Sequence, residues 1–308
     1  MKNLLLAFGA ALVLAAPAAA GVSVGASQTF GSQNYRGTKA DASLDLTDEL
    51  YVAPSFSLYR SDVSSGTFYK PSLRVGYEKG PLSLGVEGGF QPKVNGYRQT
   101  NVGADVTFSL APGGTKHSHR MAGPSSGANE TFGYGLAGVD VGAAFMHTQH
   151  YDDFSAASLL GTGPRRAGAR RATVYTVGQN DLTAFAGAKF LITEVSGSVT
   201  KSHYDKDLTA GNARTAQFLA LSGFGAIEQG FPDTSWNLKM KWKTLPFVRP
   251  YVSYTHTTFK LGESPSNALE LGGNVGLDML NVKASWEHYT QSGYADQNYA
   301  TVGASFNF

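Results

Sequence analysis

Between Trp236 and Lys243 the chain takes turns: Trp236, Leu238, Met240 and Trp242 alternate with Asn237, Lys239, Lys241 and Lys243. The same two-residue period returns along most of the sequence. Leu82, Leu84, Val86 and Phe90 oppose Ser83, Gly85, Glu87 and Gln91, and Val102, Ala104, Val106 and Phe108 oppose Asn101, Asp105 and Thr107. Leu269, Leu271, Val275 and Leu277 share a face that excludes Glu270, Asn274 and Asp278. Val282, Ala284 and Trp286 oppose Lys283, Ser285 and Glu287. Successive strand side chains point to opposite faces, so each segment has one apolar face and one face of charged or small polar residues. The pattern predicts strands over 22–33, 40–47, 50–60, 67–79, 82–92, 98–110, 131–148, 171–192, 195–204, 235–244, 247–260, 268–279, 282–291 and 298–308.

Such alternation suits a soluble sandwich, whose polar faces meet solvent, and equally a transmembrane barrel, whose apolar faces meet lipid. Segment length separates them. The segments run to roughly 10–14 residues, against 5 or 6 for an ordinary strand and about 9–11 for one that spans a bilayer. Aromatic residues gather near segment ends: Tyr51 and Tyr59, Phe68 and Tyr77, Tyr254 and Phe259, Tyr289, Tyr299, Phe306 and Phe308. They are expected to form the interfacial girdles of a membrane barrel. Connections alternate in length as well. Tight turns are expected at Thr47-Asp48-Glu49, Lys79-Gly80-Pro81, Thr193-Glu194, Thr244-Leu245-Pro246 and Leu280-Asn281. Longer polar stretches fall near 32–39, 60–66, 91–98, 152–170, 205–234, 262–267 and 292–297. The expected fold is therefore an all-β, antiparallel transmembrane β-barrel of about 14 strands, with 12 and 16 as alternatives. Two stretches resist this scheme. Residues 111–130 are long where parity asks for a short turn. Residues 205–234 contain Phe218-Leu219-Ala220-Leu221, too apolar for a solvated loop.

The first twenty residues, with Lys2, the apolar run Leu4 to Leu14 and Ala18-Ala19-Ala20, have the three parts of a cleaved export signal. The expected division is a signal peptide over 1–20 and one barrel domain over 21–308. Charged residues make up only 16% of the chain, below the usual quarter, while mean hydropathy is a middling −0.17. Low charge with moderate hydropathy fits strands that are half apolar and half small and polar. The net charge of +2 provides no footprint for nucleic acid. Zero cysteines exclude disulfides and thiolate chemistry.

The closing stretch Val302, Ala304, Phe306 and Phe308, alternating with Thr301, Gly303, Ser305 and Asn307, resembles the last strand of bacterial outer-membrane β-barrel proteins of the porin-like kind. The resemblance covers the whole stretch after residue 20 but rests on architecture and the two end signals. It implies a place in the bacterial outer membrane, short periplasmic turns and long extracellular loops. It also implies contact with outer-membrane lipids and a last strand read by the barrel-assembly machinery before it closes on the first. Passive diffusion of small hydrophilic solutes or ions is the implied activity, with no enzymatic chemistry and no cofactor. The alternative is a non-channel barrel with a structural, adhesive or surface-binding role, plugged by residues 205–234.

The expected lumen face carries Lys189, Lys239, Lys241, Lys243, Arg249 and Lys283, with Asp41, Asp45, Glu87, Asp105, Glu270, Asp278 and Glu287 on other strands. Acidic positions dominate the first half and basic ones cluster in the tenth to thirteenth expected strands, a field that orients polar solutes. Arg165, Arg166, Arg170 and Arg171 crowd one expected loop and are candidates for anion contact, since guanidinium forks match phosphate and carboxylate. Other motif matches are discounted. Gly133-Tyr134-Gly135-Leu136-Ala137-Gly138 fits the dinucleotide pattern but opens a strand rather than a helix. Gly123-Pro124-Ser125-Ser126-Gly127 fits a nucleophile elbow, with His117 and His119 nearby, yet lacks a helix-forming run. His147 and His150, near Asp152 and Asp153, would face opposite sides of a strand, so no metal site is expected.

Overall fold

A computed structural model describes residues 21–62, 64–94, 97–110, 121–124, 137–152, 175–206, 231–243, 247–277 and 279–308. The expected signal peptide, the four loop arginines, Ser125, Asp278, the turn at 244–246 and the apolar run at 218–221 lie outside the described residues.

Fourteen strands follow one another: β1 Gly21–Gly31, β2 Tyr35–Asp45, β3 Leu50–Ser61, β4 Ser64–Lys79, β5 Leu82–Val94, β6 Tyr97–Leu110 and β7 Ala137–Asp152 in the first half. The second half has β8 Tyr175–Phe190, β9 Thr193–Tyr204, β10 Pro232–Trp242, β11 Val248–Phe259, β12 Ser266–Leu277, β13 Leu280–Gln291 and β14 Gln297–Asn307. Each pairs antiparallel with its sequence neighbours, and β14 pairs with β1 to close the ring. Every expected strand has one observed counterpart, so 12 and 16 strands are excluded. At 11 to 16 residues, each is long enough to cross a bilayer.

The turns differ from expectation in detail. The hairpin between β8 and β9 turns at Leu191-Ile192, with Leu191 at φ 52, and Thr193-Glu194 already belong to β9. Leu280-Asn281 likewise begin β13. At the other rim, 32–39, 60–66 and 91–98 are not long loops. Tyr35 starts β2 directly after a tight turn whose Gln33 and Asn34 both have positive φ, the geometry of a type I′ hairpin. β3 and β4 are two residues apart, and so are β5 and β6. These stretches read as loops because they are polar on both faces. Outside the turns themselves, their described backbone groups are nevertheless paired in the sheet, so the strands simply continue past the apolar zone.

That zone is visible on the outer wall. On β6 Val102, Val106, Phe108 and Leu110 are exposed while Asp105, Thr107 and Ser109 between them are buried. On β7 Val139, Val141 and Phe145 are exposed in the same way. From Val102 to Leu110 the belt is roughly 20 Å tall on tilted strands. Toward the rim away from the chain termini it gives way to Arg98, Thr100, His147 and Gln149. On the β10–β14 side its edge is marked by outward rings: Trp236 beside Tyr254 at 5.2 Å and Trp286 beside His288 at 5.8 Å.

Many of the aromatic residues expected on this outer girdle lie inside instead. Tyr51, Phe68, Phe259, Tyr289 and Tyr299 are buried, and Tyr59 packs against this interior set. Tyr254, Phe306 and Phe308 face out. The reason is parity: Tyr59 pairs with Phe68, and Gly31 with Tyr299, on the same face as the polar residues.

Candidate functional site

The barrel interior is organised in three levels. Nearest the rim that carries the chain termini lies a basic cluster. Lys189 and Lys241 are both register partners of Glu194, from β8 and β10 respectively. Lys243 reaches the same carboxylate at 2.5 Å. Arg249, one position into β11, is also buried inside.

At mid-height two charged groups occupy separate walls. On one, Arg74 from β4 donates to Asp105 at 2.7 Å, approaches Glu87 at 3.5 Å, and donates through Nε to the Tyr51 hydroxyl at 3.3 Å. Asp105 is only 7% exposed, whereas its outward neighbour Val106 is 41% exposed. A buried carboxylate of this kind requires a charged, hydrogen-bonded partner, and Arg74 supplies it. Gly85 leaves the space: a Cβ there would lie 2.0 Å from the guanidinium. On the other wall Tyr251 donates to Glu270 at 2.7 Å. Lys239 stands over the Tyr251 ring at 4.4 Å and Lys283 at 5.4 Å, a cation–π arrangement. Lys283 also lies 3.6 Å from Glu270, and Glu287 is directly opposite Glu270 in the β12–β13 register. β4 and β11 are seven places apart in the ring of fourteen, so these walls face each other.

Two tyrosines at this level lie flat against the wall. Tyr51 covers its cross-strand partner Gly76, and Tyr251 covers Gly272. A Cβ on either glycine would approach the ring to 2.1 and 2.4 Å.

Toward the far rim the interior becomes a layer of tyrosines and glutamines. The Tyr59 hydroxyl donates to Gln91 at 2.6 Å, Tyr97 to Gln99 at 2.9 Å, Tyr289 to Gln291 at 2.9 Å, and Tyr299 to Gln297. His150 joins Tyr97 at 2.8 Å and Gln179 at 3.1 Å. Tyr35 meets Tyr299 edge-on at 5.4 Å, and Tyr59 stacks on Phe68 at 5.3 Å.

Part of the long connection between β6 and β7 re-enters the barrel. The Met121 amide donates to Asp140 Oδ2 at 2.6 Å, and Asp140 is an inward, buried residue of β7. Ala122 is buried, Gly123 packs on the Phe185 ring, and Met121 lies over Gly187. Phe185 and Gly187 are five and three positions from the end of β8 at Phe190, so this strap climbs toward mid-height. The described part of 111–130, residues 121–124, thus lies inside the barrel rather than in a turn at the rim. From the opposite rim Phe231 is fully buried against Val177 and Tyr204.

The expected charged positions Lys189, Lys239, Lys241, Arg249, Lys283, Glu87, Asp105, Glu270 and Glu287 thus all turn inward, and Lys243 follows at the end of β10. His147 and His150 lie on opposite faces: His147 bonds Asn180 outside at 2.8 Å. Val302, Phe306 and Phe308 are outward and exposed. Arg74, Asp140, Glu194 and the Tyr–Gln layer were not singled out from the sequence.

A closed, even-stranded antiparallel ring, apolar outside and polar inside, is now complete. Its architecture is that of the outer-membrane β-barrels. Neither a family model nor a curated protein sequence matches the chain. Among solved structures it is similar to CdiB from Acinetobacter baumannii, at 8% identity and a TM-score of 0.49, over 93% of this chain and 60% of that one. It is also similar to the CymD monoaromatic hydrocarbon channel, at 9% identity and 0.49 over 94% and 88% of the two chains. For the NanC porin the values are 7% and 0.43 over 92% and 98%. The chain spans about three-fifths of the length of CdiB.

Proposed function

We propose that this chain is a bacterial outer-membrane channel through which small hydrophilic solutes or ions diffuse passively. The observation that carries the reading is the pair of facing charged walls at mid-height, Arg74–Glu87–Asp105 and Lys239–Glu270–Lys283, inside a closed barrel with an apolar exterior. A barrel of about this strand number is too wide for its wall side chains alone to fill. Charges on its inner face would set selectivity by favouring one sign of solute. The basic cluster of Lys189, Lys241, Lys243 and Arg249 would favour anions at the terminal rim. No covalent chemistry or cofactor enters this account. The outward stripe Val302, Ala304, Phe306 and Phe308 would contact lipid, and the barrel-assembly machinery would read it while β14 closes on β1. Purified protein in planar bilayers should give discrete conductance steps. Absence of conductance above background overturns the channel.

A second reading, a barrel plugged from within, is favoured by Phe231 and by the strap at 121–124, both packed on the inner wall. If conductance appears only when residues 205–234 are deleted, the protein is a plugged barrel whose work is done at its surface.

A further inference from the structure

We propose that Arg36 and Arg60 form an outward-facing site for the phosphate of an anionic lipid headgroup, at the rim away from the chain termini. The inference rests on the membrane reading above and concerns the outer wall, not the lumen.

The two residues are direct register partners on β2 and β3. Both belong to the outward parity of their strands, and both are exposed. Like charges placed directly opposite on antiparallel strands repel, since their Cβ atoms stand about 5 Å apart. Neither guanidinium makes a salt bridge or side-chain hydrogen bond with any described residue. Most other outward charges have found partners: Lys201 and Lys260 share Asp233, Lys79 meets Glu49, and Arg98 lies over the Tyr151 ring at 4.4 Å. The Arg36–Arg60 pair is thus a concentration of positive charge with no salt bridge to any described residue.

Its surroundings specify the ligand. The pair lines a cleft with Asn34, Ser61, Asp62, Gly66 and Thr67, which adds small hydroxyl and backbone donors around the two forks. Asp62 is the one carboxylate among the described lining residues, and it accepts from Asn34 at 2.5 Å. On the other side of Arg36, its β1 partner Phe30 is outward and half exposed. Descending the same face, Thr38 donates to Gln28 at 2.6 Å, and one step further Ala26 and Ala40 begin the apolar belt. On β3 the outward Leu58 lies one step below Arg60, so the guanidinium groups stand one to two strand steps above the belt, a height that suits headgroup phosphates. A phosphate has the charge and the acceptor geometry for two forks. Phe30 and the belt below provide the place for an attached acyl chain. A lipid satisfies both features at once, and a free anion satisfies only the first.

The test uses full-length barrel in detergent and native mass spectrometry. The probes are phosphatidic acid, phosphatidylcholine and inorganic phosphate. Wild type should retain phosphatidic acid in preference to phosphatidylcholine, and equimolar inorganic phosphate should not displace it. Arg36→Gln/Arg60→Gln should lower retention roughly tenfold or more, as expected for two basic residues near a lipid phosphate. Arg98→Gln should leave it unchanged. Equal retention by the double variant overturns the site, equal loss in Arg98→Gln shows general charge only, and full displacement by inorganic phosphate shows a free-anion site. Heat-modifiable gel migration and bilayer conductance of the double variant should match wild type. If wild type itself never enters bilayers, the membrane reading fails; if it conducts and the lipid result is negative, only this site falls.

Discussion

The backbone amide of Met121 is held inside the barrel by the buried carboxylate of Asp140, at 2.6 Å. This hydrogen bond ties the strap to the wall, while its contacts with Phe185 and Gly187 are apolar or steric. Charge-assisted bonds of this type contribute about 1.5–3 kcal/mol. Asp140→Ala should therefore loosen the strap and raise single-channel conductance or its open-state noise in planar bilayers. Asp140→Asn, which keeps an acceptor, should do so less. Identical traces for all three proteins would show that 121–124 does not limit flow.

Arg74 is the common partner of Glu87 and Asp105. Arg74→Ala leaves the buried Asp105 uncompensated, a loss of about 3–5 kcal/mol for pairs of this kind. The urea midpoint of the folded form, followed by gel mobility, should fall markedly. Asp105→Asn in the same background should recover much of it, because the stranded charge is then gone.

Selectivity should follow the facing walls. Lys239→Glu with Lys283→Glu places two new negative charges beside Glu270 and Glu287, turning a charge-balanced group wholly negative. Reversal potentials across a salt gradient should move toward cation preference. Glu87→Gln should move them toward anions. An unmoved reversal potential in both would mean that ions do not pass these walls.

Gly272→Ala would drive a Cβ to 2.4 Å from the Tyr251 ring. The ring must lift, breaking its bond to Glu270 and its contact with Lys239. Overpacking of this sort costs about 1–3 kcal/mol. Tyr251→Ser added to Gly272→Ala should remove the clash, and a double-mutant cycle on unfolding midpoints would read the coupling.

The strands were legible because one requirement governs them all: a face that meets lipid must be apolar at every second position. The inward parity of the charges follows from the same rule, since fixing Leu238 and Met240 outside turns Lys239 and Lys241 inside. The aromatic residues were misread because Tyr suits either side. Tyr254 belongs to the outer girdle beside Trp236, while Tyr59 is satisfied inside by Gln91. A usable signal was nevertheless present. Tyr97 with Gln99, Tyr289 with Gln291 and Gln297 with Tyr299 are two apart, which places amide and hydroxyl on one face. Arg74 obeyed the same parity but sat inconspicuously between Leu73 and Val75. Nothing periodic marks Met121 to Pro124, so their return into the barrel was beyond any reading by alternation.

The glycines under Tyr51 and Tyr251 have a consequence for how the interior of such a barrel changes. Strand number fixes the outer circumference, but the free bore depends on whether each ring lies down or stands up. Glycine at 76 and 272 lets the rings lie down. A single methyl group at either position is a lever on the bore that leaves the ring of fourteen strands untouched.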